Sequence, residues 1–228
     1  MTSKTIITLL VFCFQTLLSN SQDTALVIST VDKDLNSSRK TISDVLSDSK
    51  LMYLHSLTPF RDVIKKNANT GDITIVTTKE PGIRIVVNGT VTNSSGKPLA
   101  NILVYFYHTS DKGWYSDTGV HIRKNEGDHR HSRLFGYVKT NSNGKFKIKT
   151  IRPNGYPQSD FAGHIHIQMW KEDGTYLLGV PGELQFDDDV RMTEQRRKKS
   201  LTDGFLVAKN EGTREMPVYN FLIKTKYE

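Results

Sequence analysis

His164 and His166 lie two residues apart in the run Ala162-Gly163-His164-Ile165-His166-Ile167. A β-strand projects residues i and i+2 to one face, so both imidazoles can reach a single metal ion. Two tyrosines upstream occupy distinctive settings, Tyr115 in Lys112-Gly113-Trp114-Tyr115-Ser116 and Tyr156 in Asn154-Gly155-Tyr156-Pro157. Imidazole binds several transition metals, whereas phenolate is a hard anionic donor suited to a trivalent cation. Two histidines with two tyrosines therefore point to ferric iron ahead of zinc or copper. A phenol must lose its proton to bind, which is an unusual choice for a merely structural site.

Each residue alone has a plainer reading. Tyr115 fits an ordinary half-buried tyrosine, Tyr156 fits packing in a Gly-Tyr-Pro turn, and the histidine pair fits two outward-facing strand residues. Their joint occurrence, in this order and at strand ends, carries the metal reading. His108 reads as a structural neighbour of the site. Between Ser116 and Ser132 a long irregular stretch holds His121, Arg123, His129, Arg130 and His131. A loop of that length in a compact domain is functional or disordered, and its second histidine pair reads as substrate-facing or solvated.

The elements that must position these residues are mainly strands. Alternating or strongly apolar runs predict strands over 73–77, 83–92, 102–107, 134–140, 145–151, 161–170, 176–180, 205–208 and 218–224. Asn141-Ser142-Asn143-Gly144 joins two of them as a hairpin. Short strands without intervening helices describe an antiparallel β-sandwich. Ahead of it, residues 22–80 read as an N-terminal extension containing one or two helices. One of these starts at Thr58-Pro59, with Thr58 as cap and Pro59 at the first helical position, and runs through Ile64.

Residues 1–21 read as a signal peptide, with Lys4, an apolar stretch from Ile6 to Leu18, and small Ser19 and Ser21 before a cleavage site at Gln22. The only cysteine, Cys13, falls inside that stretch. An exported mature chain would then have no disulfides and would rely on its core and on any metal it holds. No later segment is apolar enough to span a membrane. The formal charge is +7, and the densest basic run, Arg196-Arg197-Lys198-Lys199, follows the acidic Asp187-Asp188-Asp189. That pattern describes a solvated helix face, and no recognition motif argues for nucleic acid. Asn36-Ser37-Ser38, Asn88-Gly89-Thr90 and Asn93-Ser94-Ser95 match the glycosylation acceptor pattern.

Over residues 80–187 the chain resembles the intradiol ring-cleavage dioxygenases. The matching pieces are Gly89-Thr90-Val91 with Gly96-Lys97-Pro98-Leu99, Tyr107-His108 with Gly113-Trp114-Tyr115, and Thr140 through Gly144. Thr150-Ile151-Arg152-Pro153 with Tyr156-Pro157, and His164-Ile165-His166, complete the series. The resemblance implies a sandwich domain over 81–228 holding one non-haem Fe(III), with Tyr115 and His164 equatorial and Tyr156 and His166 axial. It implies a catechol-like substrate, O2 as co-substrate, and a muconate-type dicarboxylate product. In family members the catechol displaces the axial tyrosinate, so Tyr156 would take up a substrate proton. Members are often dimers, so a homodimer is an option, although the usual helical dimerisation region is not recognisable.

Two departures from the family stand out. An arginine usual three residues before the first histidine is replaced by Phe161, and a family glutamine aligns with Glu183, an acid beside the expected anionic intermediate. Arg133 is the first choice to supply the missing positive charge, with Arg130 and Arg123 behind it. Two competing functions follow: a non-catalytic transthyretin-like binding module, and a ferric catecholate-binding protein without turnover.

Overall fold

The computed structural model describes residues 22–116 and 132–227. The predicted signal segment and most of the stretch after Ser116 therefore lie outside the described residues, as do His121, Arg123, His129, Arg130 and His131. The chain forms two compact units, one ending at Thr41 and one running from Ile42 to Glu228. In the first, residues 22–36 form a helix (α1). Among the described residues no helix is long and apolar enough to cross a membrane.

The second unit opens with α2 (Ile42–Leu46), a 3-10 turn (Ser49–Leu54) and α3 (Thr58–Lys66). The region before residue 80 is thus more helical than the one or two helices expected. In α3, Pro59 occupies the first turn as anticipated. Thr58 lies inside the helix, and Leu57 stands at the cap with no side-chain hydrogen bond. Arg61, buried in α3, fastens the helix to the strands by donating to the carbonyls of His55 (2.9 Å) and Ser132 (3.1 Å) and to the Tyr105 hydroxyl. Its guanidinium also lies 3.7 Å over the Phe135 ring, a cation–π contact that holds a desolvated charge.

Among the described residues nine strands follow: β1 (Asp72–Thr74), β2 (Arg84–Thr92), β3 (Leu103–His108), β4 (Leu134–Lys139), β5 (Lys145–Ile151), β6 (His164–Trp170), β7 (Glu183–Phe186), β8 (Leu206–Ala208) and β9 (Val218–Lys224). They build a four-stranded sheet in the order β1-β5-β2-β9 and a five-stranded sheet in the order β4-β3-β6-β7-β8. Apolar side chains between them close the core. The Phe186 and Tyr219 rings meet at 4.6 Å across the layers. Gly136 leaves room for Phe106, Ile73 and Ile75, all within 3.1 Å of where its Cβ would stand.

The sheets are mixed, and the expectation of an antiparallel arrangement holds only in part. β1 with β5, β2 with β9, and β7 with β8 run parallel; the other pairs are antiparallel. Parallel neighbours need a long crossover, and α4 (Glu194–Thr202) lies in the crossover between β7 and β8. The expected strand at 176–180 is a turn with one bridge, Trp170 to Tyr176. β7, which was not anticipated, takes the place beside β6. Arg196, Arg197, Lys198 and Lys199 belong to α4 and are ion-paired with Asp160, Asp187, Glu194 and Asp203 respectively.

Candidate metal centre

β6 carries His164 and His166 on one face, next to Tyr107 of β3 and Glu183 of β7 through the register Tyr107↔His166↔Glu183. Tyr115 and Tyr156 arrive on loops after β3 and β5. Both loops depend on close backbone approaches. A Cβ on Gly113 (φ +78°) would stand 2.2 Å from the Gly155 carbonyl oxygen, and one on Gly155 would stand 1.9 Å from that of Phe161. A Cβ on Gly163, just before His164, would lie 2.3 Å from the Pro153 carbonyl oxygen. Three glycines, each one or two residues before a donor, therefore let the loops close on β6. The Tyr115 carbonyl is further held by the Arg133 amide at 2.8 Å.

The four predicted side chains converge. Tyr115 Oη lies 2.7 Å from Tyr156 Oη and 2.8 Å from His166 Nε2. Tyr156 Oη lies 3.1 Å from His164 Nε2 and 3.4 Å from His166 Nε2, and the two Nε2 atoms are 3.2 Å apart. Donors held at about 2.0–2.2 Å around one ion are separated by roughly 2.8–3.6 Å, so this spread matches a shared cation. The tautomer of His164 agrees. His164 Nδ1 faces the Ala162 carbonyl at 2.8 Å and must carry the proton, leaving the Nε2 lone pair aimed at the cluster. His166 stacks on Tyr107 at 4.5 Å, which fixes its plane.

Burial pushes the phenols of Tyr115 and Tyr156 upward, and for Tyr115 the neighbouring Tyr156 adds to the effect. Left alone, both phenols keep their protons at neutral pH. A cation at the convergence point supplies what phenolate needs, so the donor set fits a trivalent metal.

Glu183 stands behind His166, its carboxylate 3.9 Å from Nδ1 and accepting from Gln185 Nε2 at 2.8 Å. His164, His166 and Glu183 also form a group of metal-capable atoms within 4.8 Å of one another. Because the two histidines face each other through Nε2, Glu183 on the Nδ1 side is placed as an outer partner of the His166 ring. Arg133 is engaged with Glu80 in a bidentate pair at 2.6 Å, both side chains largely buried; its charge is matched there. His108 is fully buried, bonded to Thr109 O and Thr150 Oγ1 at 2.7 Å each. Burial lowers its pKa to about 4, so it is a neutral structural residue. Phe161 is 52% exposed, with its ring 6.2 Å from that of Tyr156.

Sequence reasoning missed Tyr107 as the shelf under His166 and missed the three glycines, although their places just ahead of the donors were a visible signal. It also passed over Asp189 and Arg191, which nothing local distinguishes.

A β protein of two sheets with two tyrosines and two histidines gathered at one end of a strand defines the class. The Dioxygenase family profile matches residues 61–175, half of the chain. The chain belongs to the intradiol ring-cleavage dioxygenase family. It is 39% identical over 75 residues to catechol 1,2-dioxygenase 1 of Acinetobacter lwoffii, and 32% identical over 75 residues to catechol 1,2-dioxygenase of Acinetobacter baylyi. Those stretches cover 32% and 33% of this chain, and 22% of each relative's length. The dioxygenase domain of a dioxygenase carbohydrate-binding protein fusion from Streptomyces sp. SirexAA-E shares the fold, with a TM-score of 0.51 at 22% identity, covering 71% of this chain and 90% of that one.

Proposed function

We propose that this protein is an Fe(III)-dependent dioxygenase that opens a catechol-like ring between its two hydroxylated carbons, using O2 and giving a muconate-type dicarboxylate. The observation that carries the reading is the convergence of Tyr115 Oη, Tyr156 Oη, His164 Nε2 and His166 Nε2, five of whose mutual distances are 2.7–3.4 Å. These four atoms would hold the metal. When bound, the ferric ion withdraws electron density from a catecholate and so activates it towards oxygen.

The chain's own groups do the rest. Tyr156, on a loop and less buried than Tyr115, is the donor able to release its place and take a substrate proton at Oη. Tyr115, 3% exposed and pinned through its carbonyl, stays in position. His164, oriented by the Ala162 carbonyl, and His166, held against Tyr107, keep their lone pairs aimed inward. Arg133 acts through the backbone of Tyr115 and through Glu80, as a positioning residue rather than a charge offered to substrate. Export, with cleavage before Gln22, is part of the same reading, and N-terminal sequencing of the secreted chain checks it.

Two observations favour a second reading. Glu183 places a carboxylate beside the donors, where it works against further negative charge, and Phe161 brings an exposed ring beside Tyr156 in place of the family's arginine. A ferric catecholate binder without turnover would have this environment. The test is to load the chain from Gln22 with iron in air and follow its visible band on adding catechol. A tyrosinate-to-iron band that shifts and then fades as O2 is consumed supports the dioxygenase. A band that shifts and persists supports the binder, and a colourless, iron-free protein defeats both.

A further inference from the structure

The acidic run Asp187-Asp188-Asp189, which precedes the basic helix α4, is tied down residue by residue. Asp187 pairs with Arg197. Asp188 pairs with Arg152 at 3.0 Å and accepts from the Tyr219 hydroxyl at 3.0 Å. Asp189 Oδ2 accepts the Gly163 amide at 2.9 Å, while its Oδ1 accepts the amide of Arg191 at 2.8 Å. Arg191 then reaches back, its Nη1 donating to Asn154 Oδ1 at 2.7 Å. Gly163 immediately precedes His164, and Asn154 stands two residues before Tyr156.

Residues 154–163 therefore form a loop whose two ends are held by one short segment, and Gly163 packs directly on the Pro153 carbonyl. Asn154 is itself anchored, its amide donating to the Ser110 carbonyl at 3.1 Å, its carbonyl accepting from Thr109 Oγ1 at 2.6 Å and its Nδ2 donating to the Asp111 carbonyl at 3.0 Å. The middle of the loop is more open. Asp160 and Phe161 are exposed, and α4 reaches them through Arg196, which pairs with Asp160 and lies 5.2 Å over the Phe161 ring.

We propose that Asp189 and Arg191 form a clamp that sets the position of Tyr156 against His164, making both of them positioning residues of the metal centre. The inference rests on the metal reading for its consequence, while the clamp itself is testable without metal. Tyr156 lies on a loop with no strand ladder of its own, so its oxygen stays beside His164 Nε2 only if both loop ends are fixed. A charge-assisted bond to a backbone amide is among the stronger hydrogen bonds, and its acceptor lies on the segment that also reaches Asn154.

The experiment compares wild type, Asp189→Ala, Asp189→Asn, Arg191→Gln and Arg191→Lys. In the metal-free proteins, hydrogen exchange of the 154–163 amides should speed up roughly ten- to hundredfold in Asp189→Ala, the range expected when a bond to a charged group is lost, with β3 and β5 unchanged. Asp189→Asn keeps one acceptor oxygen and should fall between. Arg191→Lys should restore much of what Arg191→Gln loses. In the iron-loaded proteins, Asp189→Ala should shift or bleach the tyrosinate band with thermal stability still cooperative. Unchanged exchange at 154–163 in Asp189→Ala and Arg191→Gln overturns the clamp. Should Asp189→Ala fail to fold, the Asp189→Asn and Arg191→Gln exchange decides it alone. A wild type that takes up no iron and shows no band refutes the metal reading, and the exchange result still judges the clamp.

Discussion

Replacing Gly155 by alanine should disable the centre while leaving the fold in place. The added Cβ would stand 1.9 Å from the Phe161 carbonyl oxygen and 3.3 Å from Arg191 Nη1. Carbon–oxygen contacts settle near 3.3–3.6 Å, so the backbone at 155 and 161 must part by about 1.4 Å. Backbone atoms cannot turn aside as a flexible side chain would, and Tyr156 is the next residue along. A displacement of that size carries its Oη beyond the roughly 2.0–2.2 Å at which such donors bind a common ion. Overpacking of this kind costs about 1–3 kcal/mol in folding, but a misplacement of about 1 Å at a reacting centre reduces turnover by on the order of a hundredfold. Gly182→Ala is the control, because its Cβ meets nothing within 4 Å and its φ is ordinary. Iron stoichiometry, the visible band and catechol turnover are measured for both variants beside a thermal melt. A Gly155→Ala protein with wild-type iron content, band and turnover would refute the reasoning.

Three further outcomes are expected. Arg133→Ala strands the buried Glu80 carboxylate, whose side chain is 5% exposed, and should lower stability by about 3–5 kcal/mol; an unchanged urea midpoint contradicts this. His108, with a pKa lowered from 6.5 to about 4, binds a proton less readily folded than unfolded. Stability should therefore be full above pH 6.5 and decline as pH falls towards 4, by roughly 2 kcal/mol at pH 5 from this group alone. Urea titrations should show a shallower acid slope in His108→Gln, and an identical slope removes His108 as the cause. Because burial keeps both phenols protonated, loading the metal-free protein with iron at pH 7 should release two more protons than hydrolysis of the iron salt accounts for. In a pH-stat, Tyr115→Phe and Tyr156→Phe should each release one fewer, and equal release by all three proteins argues against tyrosinate ligation.

Much of the architecture was legible because it was written in local periodicity. β5 and β9 fall on the expected residues, and β2, β3, β4 and β8 within one, since alternation over six or more residues is hard to mistake. β7 was missed because Glu183–Phe186 offers only four residues, and its burial depends on β6 beside it. The helix α2 was passed over because it spans only five residues, and α1 because polar side chains dominate its segment. The parallel pairings were invisible for a different reason. Which strand lies beside which is decided by crossovers such as the one through α4, and no local pattern encodes them.

The centre divides along the same line. Tyr115, Tyr156, His164 and His166 were visible because the two histidines are two residues apart and all four occur together in a characteristic order, and the structure does bring the four together. Arg133 was chosen for its charge, and charge alone cannot say which partner a long side chain finds; Glu80, more than fifty residues away in sequence, claims it. Asp189 shows the limit most clearly. In sequence it is the third of three aspartates before a basic run, and nothing local sets it apart from its neighbours. In the fold its carboxylate bonds the amide next to His164, and that difference comes wholly from where β7 ends relative to the start of β6. A residue such as Asp189, which would hold another in place from a distant segment, leaves no mark on composition or spacing, so such positions are found only after the donors have been brought together.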